Sequence, residues 1–228
     1  MIILFRIFKK TLRLLFLLFI LQLVYAVLLR WMPPPVTLTQ ISSWTGGHGL
    51  RRSYVSLENI SPAMRLAVMA SEDQIFPDHN GFDWRSIQKA YLKNKKSKRM
   101  RGASTISQQT AKNVFLWQGR TWVRKALEVY YTFLIELVWG KKRIMEVYLN
   151  VAETGKGVFG VEAAAQKYFN KSAKELTRRE ASFIAACLPD PKRYGKIPFS
   201  NFINSRSAWI LRQMNNLNDD DDMAELLK

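Results

Sequence analysis

Cysteine, histidine and acid are all scarce in this 228-residue chain. The single cysteine, Cys187, excludes an intrachain disulfide, and its apolar setting in ASFIAACL marks a small core residue rather than a nucleophile. The only histidines, His48 and His79, form no Cys/His grouping at zinc spacing, which excludes a structural zinc site. Repeats are absent, and so is a phosphate loop of the form Gly-x-x-x-x-Gly-Lys-Ser/Thr. SIQK, residues 86–89, has the Ser-x-x-Lys spacing of acyl enzymes, but no Lys-Thr-Gly follows it. Strand signals are thin, YVSL at 54–57 being the best, so the expected fold class is mainly α. Against 35 basic residues stand only 18 acids, a net charge of +17. That excess points to nucleic acid, an anionic membrane surface or a phosphate-bearing substrate. The length suits one well-buried domain and is short for two.

A long apolar run narrows the choice of partner. LLFLLFILQLVYAVLL, residues 14–29, is interrupted only by Gln22. With Arg13 and Arg30 snorkelling at its ends, 12–31 predicts a transmembrane helix of about 20 residues and about 30 Å. Arg6, Lys9, Lys10 and Arg13 precede or open it, while no basic residue separates Arg30 from Arg51. This asymmetry puts residues 1–11 in the cytoplasm and the rest outside. A cleaved signal peptide is the alternative, but no small-x-small site follows, so an uncleaved anchor is favoured. An exported domain seldom meets nucleic acid, which leaves membrane lipids and phosphates near them. Pro33, Pro34 and Pro35 stiffen a spacer, 32–49, whose glycines 46, 47 and 49 loosen its end. A domain at 50–215 follows, then an acidic tail, 216–228, expected to be partly disordered.

SEDQIFPDHNGFDW, residues 71–84, gathers Glu72, Asp73, Asp78, His79 and Asp83 among Ile75, Phe76, Phe82 and Trp84. Glu72 is expected at the end of a helix opened by Ser61 as N-cap and Pro62 at the first helical position. There the helix dipole and apolar neighbours disfavour its charge, as a general base or acid requires. On position alone, a capping or ion-paired surface glutamate is the commoner case. Arg124, Lys125 and Glu128 share a helical face, either as a surface ion pair worth under about 1 kcal/mol or as a basic cleft wall with an acid set into it. Ser104 or Thr105 opens a helix in STISQQTAKNVF, with Lys112 two turns on; such a start is usually plain capping. Leu127, Tyr131, Leu134 and Val138 make a stripe expected to face the core. KAYLKNKKSKRMR, residues 89–101, carries seven basic residues, a solvated run or a surface for anionic headgroups. Thr177 and Glu180 form a capping box before an apolar helix that Pro189 ends.

In this order the pieces resemble the glycosyltransferase domain of peptidoglycan synthases, above all the monofunctional biosynthetic transglycosylases. EDQIFPDHNGFD (72–83) is similar to the family's first motif at every fixed position. GASTISQQTAKN (102–113) resembles the second, with Ala103 and Ser107 in place of glycine and threonine. RKALE (124–128), YLNVAETGKGVFGVEAAAQKYF and LTRREASFIAACLPDP continue the likeness over about residues 50–215. It implies a lysozyme-like helical head lobe with a smaller, membrane-associated jaw and a cleft between them. Lipid II units and the growing glycan strand would be the substrates, and undecaprenyl diphosphate the leaving group. By matched position, Glu72 would be the base for the acceptor 4-hydroxyl, and Asp73 would support it. Glu128 would lie near the donor diphosphate, acting directly or through a divalent cation, magnesium or manganese. Lys112, Arg124 and Lys125, with Arg120, would hold the diphosphate, and Ser104 and Gln108 would touch substrate. The inner (plasma) membrane, with the catalytic domain periplasmic, is the implied location, and other cell wall synthesis or division proteins are candidate partners. A lysozyme-like hydrolase would also use a helix-end glutamate, but it has no diphosphate to neutralise. A membrane-anchored scaffold would need no glutamate at all.

Overall fold

The computed structural model describes residues 2–96, 102–119, 121–196, 198–217 and 227. The end of the basic run, Arg120 and most of the acidic tail lie outside the described residues. Two compact units make up the chain, Met1–Pro33 and Pro34–Lys228. The first is α1, Ile2–Leu28, which begins at Ile2 rather than Leu12 because nothing in the basic N-terminal arm breaks a helix. Among the described residues it alone is long and apolar enough to cross a bilayer, over Leu4–Leu28.

The second unit is mainly helical. Its expected spacer is partly a helix, α2 (Leu38–Thr45), closed at the front by a capping box between Thr37 and Gln40. A short strand β1 (Arg51–Arg52) comes next, so the strand lies just before YVSL rather than in it. Then follow α3 (Pro62–Glu72), α4 (Trp84–Lys96), α5 (Ile106–Phe115), α6 (Trp122–Val138) and α7 (Lys141–Val151). Strands β2 (Glu153–Gly155) and β3 (Val158–Phe159) lead to α8 (Val161–Phe169), α9 (Arg178–Cys187), α10 (Pro191–Tyr194) and α11 (Asn201–Asn216). The small sheet has the order β1-β3-β2, with Arg52 opposite Phe159 in a parallel pair and Glu153 opposite Phe159 in an antiparallel one.

The core sits around α3, whose residues from Met64 to Ala70 are all buried, the pattern of a helix enclosed on every side. α9 and α11 pack on it and on each other, while α5 packs on both α6 and α7. The expected N-caps at Ser61 and Thr177 are present, and Pro62 takes the first helical position of α3. Helix α11 is a surplus over the sequence expectations; Ser200 caps it, and Ile203, Ser207, Ile210 and Met214 form its buried stripe.

Helix α6 departs from the expected orientation. Its buried positions include the polar Arg124, Glu128 and Thr132 as well as Leu134 and Ile135. Trp122 (91 % exposed), Val129, Phe133 and Leu137 face outward. Of the stripe expected to be core, only Leu134 is buried; Leu127, Tyr131 and Val138 are half-buried. The helix is amphipathic, but with charge inside. Phe133, 64 % exposed, should therefore be replaceable: Phe133→Ser is expected to change unfolding stability by less than about 0.5 kcal/mol, against about 3–5 for a core phenylalanine. Denaturant unfolding in detergent micelles, followed by circular dichroism, measures this; a loss in the core range means that the face is covered.

Candidate active site

Glu72 is the last residue of α3 and Asp73 its C-cap. The chain then turns back through a loop that buries Phe76 and His79. Asp73 is buried. Its carboxylate accepts from His79 Nε2 at 3.0 Å and from the backbone N–H of Ile106 at 3.0 Å, the first residue of α5. Gly81 N–H donates to His79 Nδ1 at 3.1 Å, so Nε2 carries the hydrogen aimed at Asp73. Thr105 Oγ1 donates to the Gly81 carbonyl at 2.7 Å. Gly81 has φ +87°, and a Cβ there would lie 2.8 Å from Thr132 Cγ2, so only glycine fits. Lys141 completes the lock. It pairs with Glu136 at 2.7 Å, donates to the His79 carbonyl and lies 4.6 Å from the centre of the Phe76 ring.

These contacts fix where Glu72 points. Its side chain, 13 % exposed, accepts at Oε2 from Gln109 Nε2 (3.0 Å) and at Oε1 from Ser71 Oγ (3.0 Å). Tyr148, buried on α7, donates to Gln109 Oε1 at 3.2 Å, which orients the amide nitrogen toward Glu72. The flanking acids divide their work. Asp83 accepts from Ser86 N–H at 2.9 Å and caps α4, while Asp78 is exposed.

Helix α5 opens at Thr105, in a reciprocal capping box with Gln108. Gln108, 3 % exposed, spends its carbonyl oxygen on Thr105 N–H at 3.1 Å, so the residue that reaches the base is its neighbour Gln109. Ser104 is exposed just before the cap. Gln109 and Lys112 are three residues apart and share a face. Burial pushes the Lys112 ammonium below its ordinary pKa, opposed by the negative charges of Glu128 and Glu72 and reinforced by Arg124 and Lys125. All four expected charges thus act on one lysine.

On α6, Thr121 caps the helix by accepting from Arg124 N–H. Glu128, 3 % exposed, pairs with Arg124 at 2.5 Å and with Lys125. Arg124 Nε also donates to the Gly119 carbonyl at 2.7 Å. The Lys125 side chain stays 40 % exposed, so its charge is presented outward. Glu128 is thus a buried acid held between its two cations rather than one lying on the surface. A divalent cation at Glu128 would have to compete with the basic side chains already there. Glu128 is already engaged at both oxygens by cations, and among the described residues no three His, Cys, Asp or Glu side chains gather.

Sequence reasoning did not reach Ser71, Gln109, Tyr148 or Arg206, the last of which lies 3.8 Å from Glu72. Arg206 sits beside the buried stripe of α11, and reading that stripe in the sequence would have brought it into view.

A helix-end carboxylate, with Lys112 on α5 and Arg124 and Lys125 on α6, defines the class of site, and the comparisons give the class its family. The transglycosylase family matches residues 38–215. The chain belongs to that family. The match starts at α2, inside the expected spacer, rather than at residue 50. The chain is similar to the biosynthetic peptidoglycan transglycosylase of Mannheimia succiniciproducens, 58% identical over 164 residues, covering 72% of this chain and 67% of the relative. Proteins of the same name from Escherichia coli strain K12 and Shigella boydii serotype 4 are each 58% identical over 179 residues, covering 77% of this chain and 74% of theirs.

Asp73 carries the clamp, so Asp73→Ala should lower unfolding stability by about 3 kcal/mol, leaving the Ile106 N–H and His79 without an acceptor. Urea titration of the purified protein reads the loss. A stability change under about 0.5 kcal/mol contradicts the clamp.

Proposed function

We propose that this chain is a peptidoglycan glycosyltransferase that polymerises lipid II into glycan strands and releases undecaprenyl diphosphate. In this reading α1 is a single-pass anchor in the inner membrane, with the N-terminus cytoplasmic and the second unit outside. The family match and the names of the relatives support the reaction class. One observation carries the rest: the charges of Glu72 and of Glu128, Arg124 and Lys125 all act on Lys112. A base and a cationic leaving-group site would then share one cleft, an arrangement that a hydrolase has no need to build.

The chemistry follows. Glu72 takes the proton from the 4-hydroxyl of the acceptor sugar as that oxygen attacks the anomeric carbon of the donor. A new C–O bond forms and the bond from the anomeric carbon to the diphosphate oxygen breaks, leaving its electron pair on the diphosphate. Lys112, Arg124 and Lys125 meet the charge that develops there. Glu128 is best supported as the organiser of that set. It holds Arg124 and Lys125 side by side against their repulsion, and three cations against one carboxylate still leave an excess of positive charge for the leaving group. Ser104, exposed ahead of α5, is free to meet substrate; Asp73 supports Glu72 from below. The outward apolar face of α6, with Trp84, Tyr91 and Leu92 of α4, suits a substrate whose lipid tail stays in the bilayer.

Full-length protein in detergent, given labelled lipid II, should make long glycan strands on a gel. Glu72→Gln should lower kcat by at least about 100-fold with an unchanged circular dichroism spectrum. Release of fragments from finished peptidoglycan, with no strands from lipid II, rejects the reading.

A pH profile addresses Lys112. Because burial depresses its pKa, the ammonium discharges as pH rises through a value below the ordinary lysine range, and activity falls on that alkaline side. Arginine stays protonated there. Lys112→Arg is therefore expected to extend the alkaline limb to higher pH. Superimposable alkaline limbs in wild type and variant remove Lys112 from the charge-bearing set.

A further inference from the structure

Glu72 has a neighbour that none of the motifs contains. Arg206, on α11, donates from Nη2 to Ser71 Oγ at 3.3 Å and places the same nitrogen 3.8 Å from Glu72 Oε1. Ser71 Oγ in turn donates to Glu72 Oε1 at 3.0 Å. A hydroxyl has one hydrogen to give, so the guanidinium fills the acceptor side of Ser71 and turns its hydrogen onto the carboxylate. We propose that Arg206 is a positioning residue for Glu72, acting through Ser71 and through its own charge; this rests on the reading of Glu72 as the base.

Arg206 stands beside the buried stripe that packs α11 into the core. Ser207, the next residue, is buried, and its Oγ is hydrogen-bonded to Ser182 Oγ of α9 at 2.6 Å. Ile203, Ile210 and Met214 are fully buried, and α11 packs on α3 as well as on α9. Two turns beyond Arg206, Gln213 accepts from Gln74 at 3.3 Å. Helix α11 is thus tied to α3 and to the chain just past it, and Arg206 is carried to the end of α3 by a fixed backbone. Among the described residues its buried Nε has no hydrogen-bond partner. The guanidinium is placed by its Nη2 contacts and by the Trp209 ring, whose centre lies 6.0 Å from it, rather than by satisfaction of every donor.

Charge explains the placement. Glu72 closes α3, where the helix dipole presents its negative end, and a cation at that end compensates it. The other charged or titratable groups facing Glu72 are Asp73 on its own element, Lys112 on α5 and Tyr148 on α7. Lys112 is shared with the diphosphate side, so Arg206 is the cation given over to the base. With Gln109 fixing Oε2 and Ser71 fixing Oε1, each oxygen keeps a lone pair for the acceptor hydroxyl, and its direction is set from two helices.

The test is steady-state polymerisation of labelled lipid II by the full-length protein, with wild type, Glu72→Gln, Arg206→Met and Arg206→Lys compared. Methionine keeps much of the apolar stem and removes the charge; lysine restores the charge. Arg206→Met is expected to lower kcat by about 10- to 100-fold with KM unchanged, as misaimed bases do. Arg206→Lys is expected to recover most of that loss, and thermal melts of both variants to stay near wild type. Should Met fail to fold, the Lys variant against wild type still reads the charge, since a shape-only role predicts the full loss with Lys. Wild-type kcat in Arg206→Met, a loss appearing in KM, or no recovery with Lys in a folded protein each overturns the proposal. Wild type inactive on lipid II overturns instead the reading of the reaction itself.

Discussion

A carboxylate at the C-terminal end of a helix sits against the wrong end of that helix's dipole, and Asp73 occupies such a place on α3. The next helix makes it tenable. Asp73 takes the first N–H of α5, where the dipole is positive, and adds His79 Nε2 from the loop between. One buried acid therefore satisfies an orphan helix donor, orders the loop and sets the distance between α3 and α5. Everything that makes Glu72 a candidate base follows, because Gln109, which holds its Oε2, stands one turn into α5.

Burial of Glu128 is the second constraint. An unpaired carboxylate at that depth would be driven to neutrality. Arg124 and Lys125 keep it charged company, and it keeps them from repelling each other. The same logic inverts α6: a helix whose inner face must line a charged cleft has only its outer face left for apolar residues. Trp122, Val129, Phe133 and Leu137 on the outside are the complement of Arg124, Glu128 and Thr132 on the inside. A bilayer surface is a setting in which such a face carries no penalty.

Local signals were legible in the sequence, and tertiary ones were not. Ser61-Pro62 and the Thr177–Glu180 box act within a few residues of chain and appear where their spacing puts them. Glu72 at a helix end, and Arg124, Lys125 and Glu128 on one face, are equally local facts. The stripe of Leu127, Tyr131, Leu134 and Val138 was periodic, but periodicity says which residues share a face and not which face is inside; the buried acid decided that. Gln108 and Gln109 are chemically identical neighbours, and only the capping geometry at Thr105 tells which of them is spent locally. Arg206 reaches the site from a part of the chain that none of the motifs touches, so nothing near Glu72 in the sequence announces it.

Helix α5 joins these parts into one machine. Gln109, which holds Glu72, and Lys112 lie one turn apart, about 4.5 Å of axial rise, so these two side chains are spaced by backbone geometry rather than by loops. That spacing suits a displacement in which the acceptor oxygen approaches one face of a sugar carbon as a diphosphate leaves the other. Lys112 is also the point of electrostatic coupling. Its charge is weakened by burial and by two like charges, and is upheld by Glu128 and Glu72. In the proposed reaction Glu72 takes up a proton, so one of those two supports would be lost at the step in which the diphosphate gains negative charge. The charge developing on the diphosphate would then stand in for Glu72 beside Lys112.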